Sequence, residues 1–334
     1  RSWIPAPLGA LWCSFRWILF FYLAFIVFPF NVIKDLKILK RILILVVLGG
    51  FLVALMGAIS LFLQDLSDPF FRAKPLYFLG DWIFGENYNL LAEFLIISSF
   101  LVLSLKYFYK SFRVNRFLNI LFLFFILINL LTFGRTAWLA IILQALSYFI
   151  IYYSVIKKER IKIKESLSVL FIIFVLISPF FLKALDLQRA NFSSTQNRVL
   201  LTEIAIEAFW EKPLWGHGGG RFVSLVDDST RFVAKYGDPL DSHGVGQKLI
   251  AENGLLGTIT FLSFIFLIFR KIYFGLLKNK RHYQLLLPLL IAGGGGYFYQ
   301  LFNTSYYKGR VWLPIALALI ALSLLEKQRK DSLD

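Results

Sequence analysis

FLNILFLFFILINLLTFGRTAWLAIILQALSYFIIYYSVI, residues 117–156, is the stretch on which the fold turns. One membrane-crossing helix takes about 20 apolar residues, so this run is too long for one span and long enough for two. Its single charge, Arg135, follows Gly134 near the middle. The run therefore reads as helices 117–133 and 136–156 joined by a very tight turn.

Working outward, the same criterion marks 11–30, 42–63, 88–105, 166–182, 248–269, 283–302 and 311–325, which makes nine candidate spans. Composition agrees. Of 334 residues, 58% are hydrophobic and 17% charged, too little polar surface for a soluble domain of this length. The expected fold class is all-α, a polytopic transmembrane helix bundle. Residues 1–334 read as a single transmembrane domain with one large, partly helical periplasmic loop at 183–247. Cys13 is the only cysteine, so no intrachain disulfide can form.

A net charge of +16 would point to nucleic acid in a soluble chain. Here the cations gather in short loops, around Lys34–Arg41, Lys106–Arg116, Lys157–Lys164 and Arg270–Arg281, and in the tail Lys327–Lys330. With nine spans all five fall on one side, which the positive-inside rule makes cytoplasmic. The partners are then membrane lipids, not nucleic acid, and the place is a membrane that the chain crosses many times. Arg1 falls outside with no signal peptide, so the expectation is a truncated N-terminus with upstream helices missing.

The loop 183–247 balances its charges, as suits the outer face. Asn197–Glu211 reads as an amphipathic helix, with Leu201, Ile204, Ala205, Ala208 and Phe209 at helical spacing and Pro213 as its stop. A glycine-rich turn, Gly216-His217-Gly218-Gly219-Gly220, follows. A second short helix runs from an Asp228 cap to Gly237. A long loop that keeps its own apolar pattern is a functional candidate.

Several residues there carry chemistry. Arg135 is either a snorkelling anchor beside an interfacial Trp138 or an anion ligand, because guanidinium binds phosphate in a bidentate way. Arg198 opens the loop helix, where a cation opposes the macrodipole unless an anion or Glu203 is near. His243 lies just before a span, with Asp241 two residues earlier to orient or strengthen a base. His217 competes with it, set among glycines that either expose N–H groups to phosphate or serve a turn needing positive φ. Arg221 joins His217 as a binding candidate. Gly293–Gly296 implies a close helix contact or a broken helix, and Arg16 and Glu93 are charges within spans. No metal-ligand cluster, cofactor fingerprint or P-loop is present in the sequence.

The order of these pieces resembles the O-antigen ligase and polymerase superfamily: Gly134-Arg135-x3-Leu139, Asn197-Arg198, Lys212-Pro213-Leu214-Trp215-Gly216-His217-Gly218, then His243-Gly244, nine residues, and Gly254-Leu255-Leu256-Gly257. The family places Asn, Ser or Gln where this chain has Gly244. The resemblance covers about residues 117–270. It implies a metal-independent, inverting glycosyltransferase that needs no cofactor and moves a polyprenyl-diphosphate-linked glycan to an acceptor at the periplasmic face, in lipopolysaccharide biosynthesis. It also implies three spans missing before residue 1. By the same resemblance Arg135 and Arg198 hold the diphosphate, and His243 activates the acceptor. Ligation to lipid A core is favoured over O-antigen polymerisation and over protein O-oligosaccharyl transfer. A transporter or flippase of lipid-linked glycans is the alternative of another class, and it predicts broken helices in paired positions.

Overall fold

A computed structural model of the chain describes residues 19, 22–65, 71–77, 87–157, 192–303 and 309–331. Every regular element among them is helical. After a wide helical turn at Tyr22–Val27 come α1 (Phe28–Val32), α2 (Leu36–Phe62), α3 (Tyr88–Leu105), α4 (Phe112–Leu130) and α5 (Arg135–Ile151). Then follow α6 (Phe192–Glu211), α7 (Phe222–Asp227), α8 (Thr230–Tyr236), α9 (Val245–Lys278), α10 (Tyr283–Gln300) and α11 (Gly309–Asp331). Six described helical stretches are long and apolar enough to cross a membrane: Leu36–Phe62, Tyr88–Phe108, Phe112–Leu130, Arg135–Lys157, Val245–Lys278 and Gly309–Asp331. Each corresponds to an expected span. The chain is a multi-pass membrane protein of all-α class.

The other three expected spans fare differently. Residues 166–182 and half of 11–30 lie outside the described residues, as do Cys13, Arg16, the N-terminal stretch and 183–191. The third, 283–302, is α10, which carries Pro288 and four glycines and is not among the six.

The chain divides into two compact units. The larger comprises 32–190, 271–299 and 310–334. Within it α2 buries Leu39, Leu43, Val47, Gly50, Val53, Ala54, Gly57 and Ser60, a stripe at helical spacing. Small residues matter here because lipid tails are as apolar as leucine, so close backbone approach replaces the hydrophobic drive. A Cβ on Gly50 would strike Ser98 and Phe125, and one on Gly57 would strike Ile128 and Leu91. The Gly293–Gly296 run works the same way. The φ/ψ path of α10 runs on through it, Gly295 faces the Gln144 side chain, and Gly296 faces Ile97. Gln144 Nε2 in turn donates to the carbonyls of Ile96 (3.2 Å) and Ile291 (3.1 Å). The run is a close helix contact, not a broken helix.

The charge at Glu93 is also accounted for. Its fully buried carboxylate accepts from Arg310 Nε (2.9 Å) and Nη2 (3.0 Å), a two-point pair.

The smaller unit comprises 1–31, 191–270 and 300–309. Its core is Leu201, Ile204, Ala205 and Ala208 of α6 with Phe222, Val226, Phe232 and Ala251. Four of the five apolar residues read from the α6 pattern are in that core; Phe209 is half-buried. The α8 helix ends at Gly237 as expected, with φ +76°, but its cap residue is Ser229 rather than Asp228.

Candidate functional site

The smaller unit is organised around a break in α9. At Gly254 the backbone leaves helical geometry (φ 59°, ψ −162°), a region that is essentially glycine-only. Breaking a helix frees carbonyls before the break and amides after it, and buried backbone groups need partners. The segment 213–218 supplies them. The His217 and Gly218 amides donate to the carbonyls of Ala251 (2.9 Å) and Glu252 (2.8 Å). Beyond the break, the Leu255 and Leu256 amides donate to the carbonyls of Pro213 (2.8 Å) and Leu214 (3.2 Å). Two backbones this close leave no room for side chains at Gly216 (φ +68°), which faces Glu252, or at Gly254, which faces Leu214 and the Gly216 amide. The Glu252 carboxylate, buried, finishes the clasp by accepting from the amides of Gly220 and Phe222, the latter at 2.9 Å.

This clasp decides the reading of the glycine-rich turn. The amides of His217, Gly218 and Gly220 are committed internally, and positive φ explains three of the four glycines, Gly216, Gly218 and Gly220. The His217 Nε2 lies 3.0 Å from the Ala208 carbonyl and 3.5 Å from Glu211, so this side chain ties the turn to α6. Arg221 precedes α7, makes no side-chain cap bond to it, and is exposed.

Arg198 sits differently from its expected place. The α6 helix begins at Phe192, so Arg198 lies in its second turn and does not open it. The macrodipole argument belongs instead to Arg135, the first residue of α5. Arg198 Nε is buried and has no hydrogen-bond partner among the described residues. An orphaned buried donor is costly, about 1–3 kcal/mol, and calls for an explanation.

His243 is close enough to Arg198 to feel its charge. Burial pushes the imidazole pKa below the ordinary histidine value, Arg198 pushes it further down, and Asp241 opposes both. The imidazole is therefore held neutral near pH 7. A short relay ties the backbone at His243 to the backbone at Arg198. The His243 amide donates to Gln247 Oε1 (2.9 Å), Gln247 Nε2 donates to Thr202 Oγ1 (2.6 Å), and Thr202 Oγ1 donates to the Arg198 carbonyl (2.8 Å). Asp241 does not orient the imidazole by hydrogen bonding. Both of its oxygens accept from Lys248 Nζ at 2.8 Å, and one also accepts from the Ser242 amide. Gly244, the departure from the family pattern, is where the Leu301 carbonyl packs. A side chain there would collide.

Arg135 belongs to the larger unit. It is exposed at the head of the 131–134 turn, where Phe133 takes a positive φ of 53° that is uncommon for a non-glycine. Trp138 is buried within the protein. Its indole N–H donates to the Leu130 carbonyl (3.0 Å) and locks the turn. His282 lies in a short turn before α10, its Nδ1 2.9 Å from the Tyr107 hydroxyl.

Sequence reasoning missed Gln247, Thr202, Lys248 and Glu252. Gln247 was within reach, since a glutamine four residues after a pre-helical histidine resembles the reach-back half of a capping box.

A half-buried arginine with one unpartnered buried donor among the described residues, and a partly buried histidine that feels its charge, lie on a loop unit continuous with a membrane-crossing helix; the class is a multi-pass helical membrane protein. Residues 120–262 match the family model described as O-antigen ligase, which supports membership of the O-antigen ligase superfamily. That match spans Arg135, Arg198, His217, Arg221, His243 and the Gly254 break. No curated protein matches the chain. Family and fold together support an O-antigen ligase- or polymerase-like function in general, acting on a lipid-linked glycan and a glycan acceptor.

Proposed function

We propose that this chain transfers a glycan from polyprenyl diphosphate to an acceptor hydroxyl, with lipid A core as the acceptor, at the periplasmic face of a bacterial inner membrane. The observation that carries the reading is the pairing of a neutral His243 with the open guanidinium of Arg198. The acceptor oxygen attacks the sugar C1 as the C1–O bond to the diphosphate breaks, inverting the anomeric centre. The acceptor proton passes to the His243 imidazole, which is uncharged and able to take it. The electron pair leaves with the polyprenyl diphosphate, where Arg198 meets the developing charge. Such preorganised donors act most strongly in a partly dry site. Arg135, in the larger unit, is a candidate anion ligand in this reading, and Arg221 is a candidate for contacts to the glycan.

The lysine- and arginine-rich loops support a cytoplasmic placement for 106–116 and 270–282, which leaves 192–247 outside. Transfer is tested in proteoliposomes that hold a defined lipid-linked donor and, separately, lipid A core or a second donor glycan as acceptor. His243→Gln lowers turnover by about 10²–10⁴-fold while donor binding is retained. Wild-type turnover in that variant rejects the base assignment. Transfer only to the second glycan makes the protein a polymerase.

A further inference from the structure

We propose that the corner between α6 and the clasp, Trp210 to Trp215, is an interfacial anchor seated in the headgroup layer of the lipid bilayer. Three large apolar side chains crowd this short stretch and face outward: Trp210 is 71% exposed, Leu214 54% and Trp215 76%. They are not scattered apolar residues of the kind any surface shows. Glu211 and Lys212 lie between them and are exposed as well, so the corner alternates apolar body with polar rim. Indole suits that setting, with a broad apolar ring and one N–H donor, and tryptophan is enriched at membrane–water boundaries for this reason.

The occupant follows from continuity with the span. The Pro213 and Leu214 carbonyls are bonded to the amides of Leu255 and Leu256, the first residues of α9 beyond the break. From there the exposed face of α9 runs through Leu255, Leu256, Ile259, Leu262 and Phe266, a lipid-facing stripe. The corner is thus pinned to the first turn of a membrane-crossing segment and cannot leave that depth without breaking the clasp. Charges at Glu211 and Lys212 keep it from sinking deeper. Its role is to hold the clasp, and with it the α6–α9 unit, at a set depth. The inference rests on the membrane span and the clasp, and stands whether or not His243 is a base.

Depth-resolved quenching tests it on the full chain in nanodiscs of phosphatidylethanolamine and phosphatidylglycerol. In a Cys13→Ser background, Trp210→Cys, Leu214→Cys, Trp215→Cys and Leu262→Cys each carry an environment-sensitive fluorophore, and monodispersity confirms the fold of each. Leu262 lies seven residues beyond Leu255, or about 10 Å deeper at 1.5 Å per residue. The three corner probes should lose most emission to a nitroxide on the lipid headgroup, and the Leu262 probe to a nitroxide deep in the acyl chain. Corner probes quenched by aqueous iodide and insensitive to both lipid nitroxides overturn the proposal. So does insensitivity to lipid combined with quenching by a spin label on a second copy, which makes the corner a self-association surface.

Discussion

Arg310 and Arg198 are both partly buried guanidinium groups, each within its own unit, and their surroundings are opposite. Arg310 is closed by the two oxygens of Glu93, a carboxylate with no exposure to solvent. Arg198 keeps a buried Nε without a partner among the described residues, one relay away from an uncharged His243. A cation neutralised inside the protein fixes helices. One left with an open donor is available to a ligand. The glycines draw a parallel contrast: in α2 and α10 they let helices touch side by side, whereas Gly216 and Gly254 let two backbones bond directly.

The largest expected effect breaks the closed pair. Glu93→Gln leaves the Arg310 charge buried and uncompensated, a loss of about 3–5 kcal/mol for such pairs. Thermal unfolding in detergent should show a clear drop in midpoint; an unchanged midpoint makes the pair dispensable. Next is Arg198→Lys. A point charge on a flexible stem does not reproduce the guanidinium fork, so transfer should fall by an amount near the about 2.7–4 kcal/mol of a lost oxyanion donor. Full rescue by lysine shows that charge alone suffices. Smaller still is Gly254→Ala, which forces a side chain into a glycine-only conformation at about 1–3 kcal/mol and toward the Leu214 carbonyl. Limited proteolysis should then cut within 213–220, which the clasp otherwise holds; resistance equal to wild type argues against the clasp.

Much of the architecture was legible in the sequence because lipid imposes length and apolarity on every span. The α6 face was legible too, since Leu201, Ile204, Ala205 and Ala208 repeat at helical spacing. Its start was not. Phe192-Ser193-Ser194-Thr195-Gln196 is a weak helix-forming run that reads as loop, yet the helix runs through it. The short α7 gave no signal, being 6 residues without a side-chain cap bond. The clasp was illegible for a deeper reason. Its bonds join backbone groups that every residue has, across some 40 residues of chain, and only its glycines leave a trace. The same holds for Asp241, which is near His243 in sequence but spends both oxygens on Lys248, one turn into α9.

The pH dependence of kcat/KM tests the central claim most directly, that His243 is a neutral base held under the charge of Arg198. Activity needs the unprotonated imidazole, so it falls as pH drops through the folded pKa. Burial and Arg198 lower that pKa and Asp241, itself paired with Lys248, raises it. The acid limb should therefore lie below the ordinary histidine value of about 6.5. Removing the neighbouring charge in Arg198→Gln should move the residual activity's limb to higher pH, and Asp241→Asn should move it lower. An acid limb that stays in place in both variants contradicts the account.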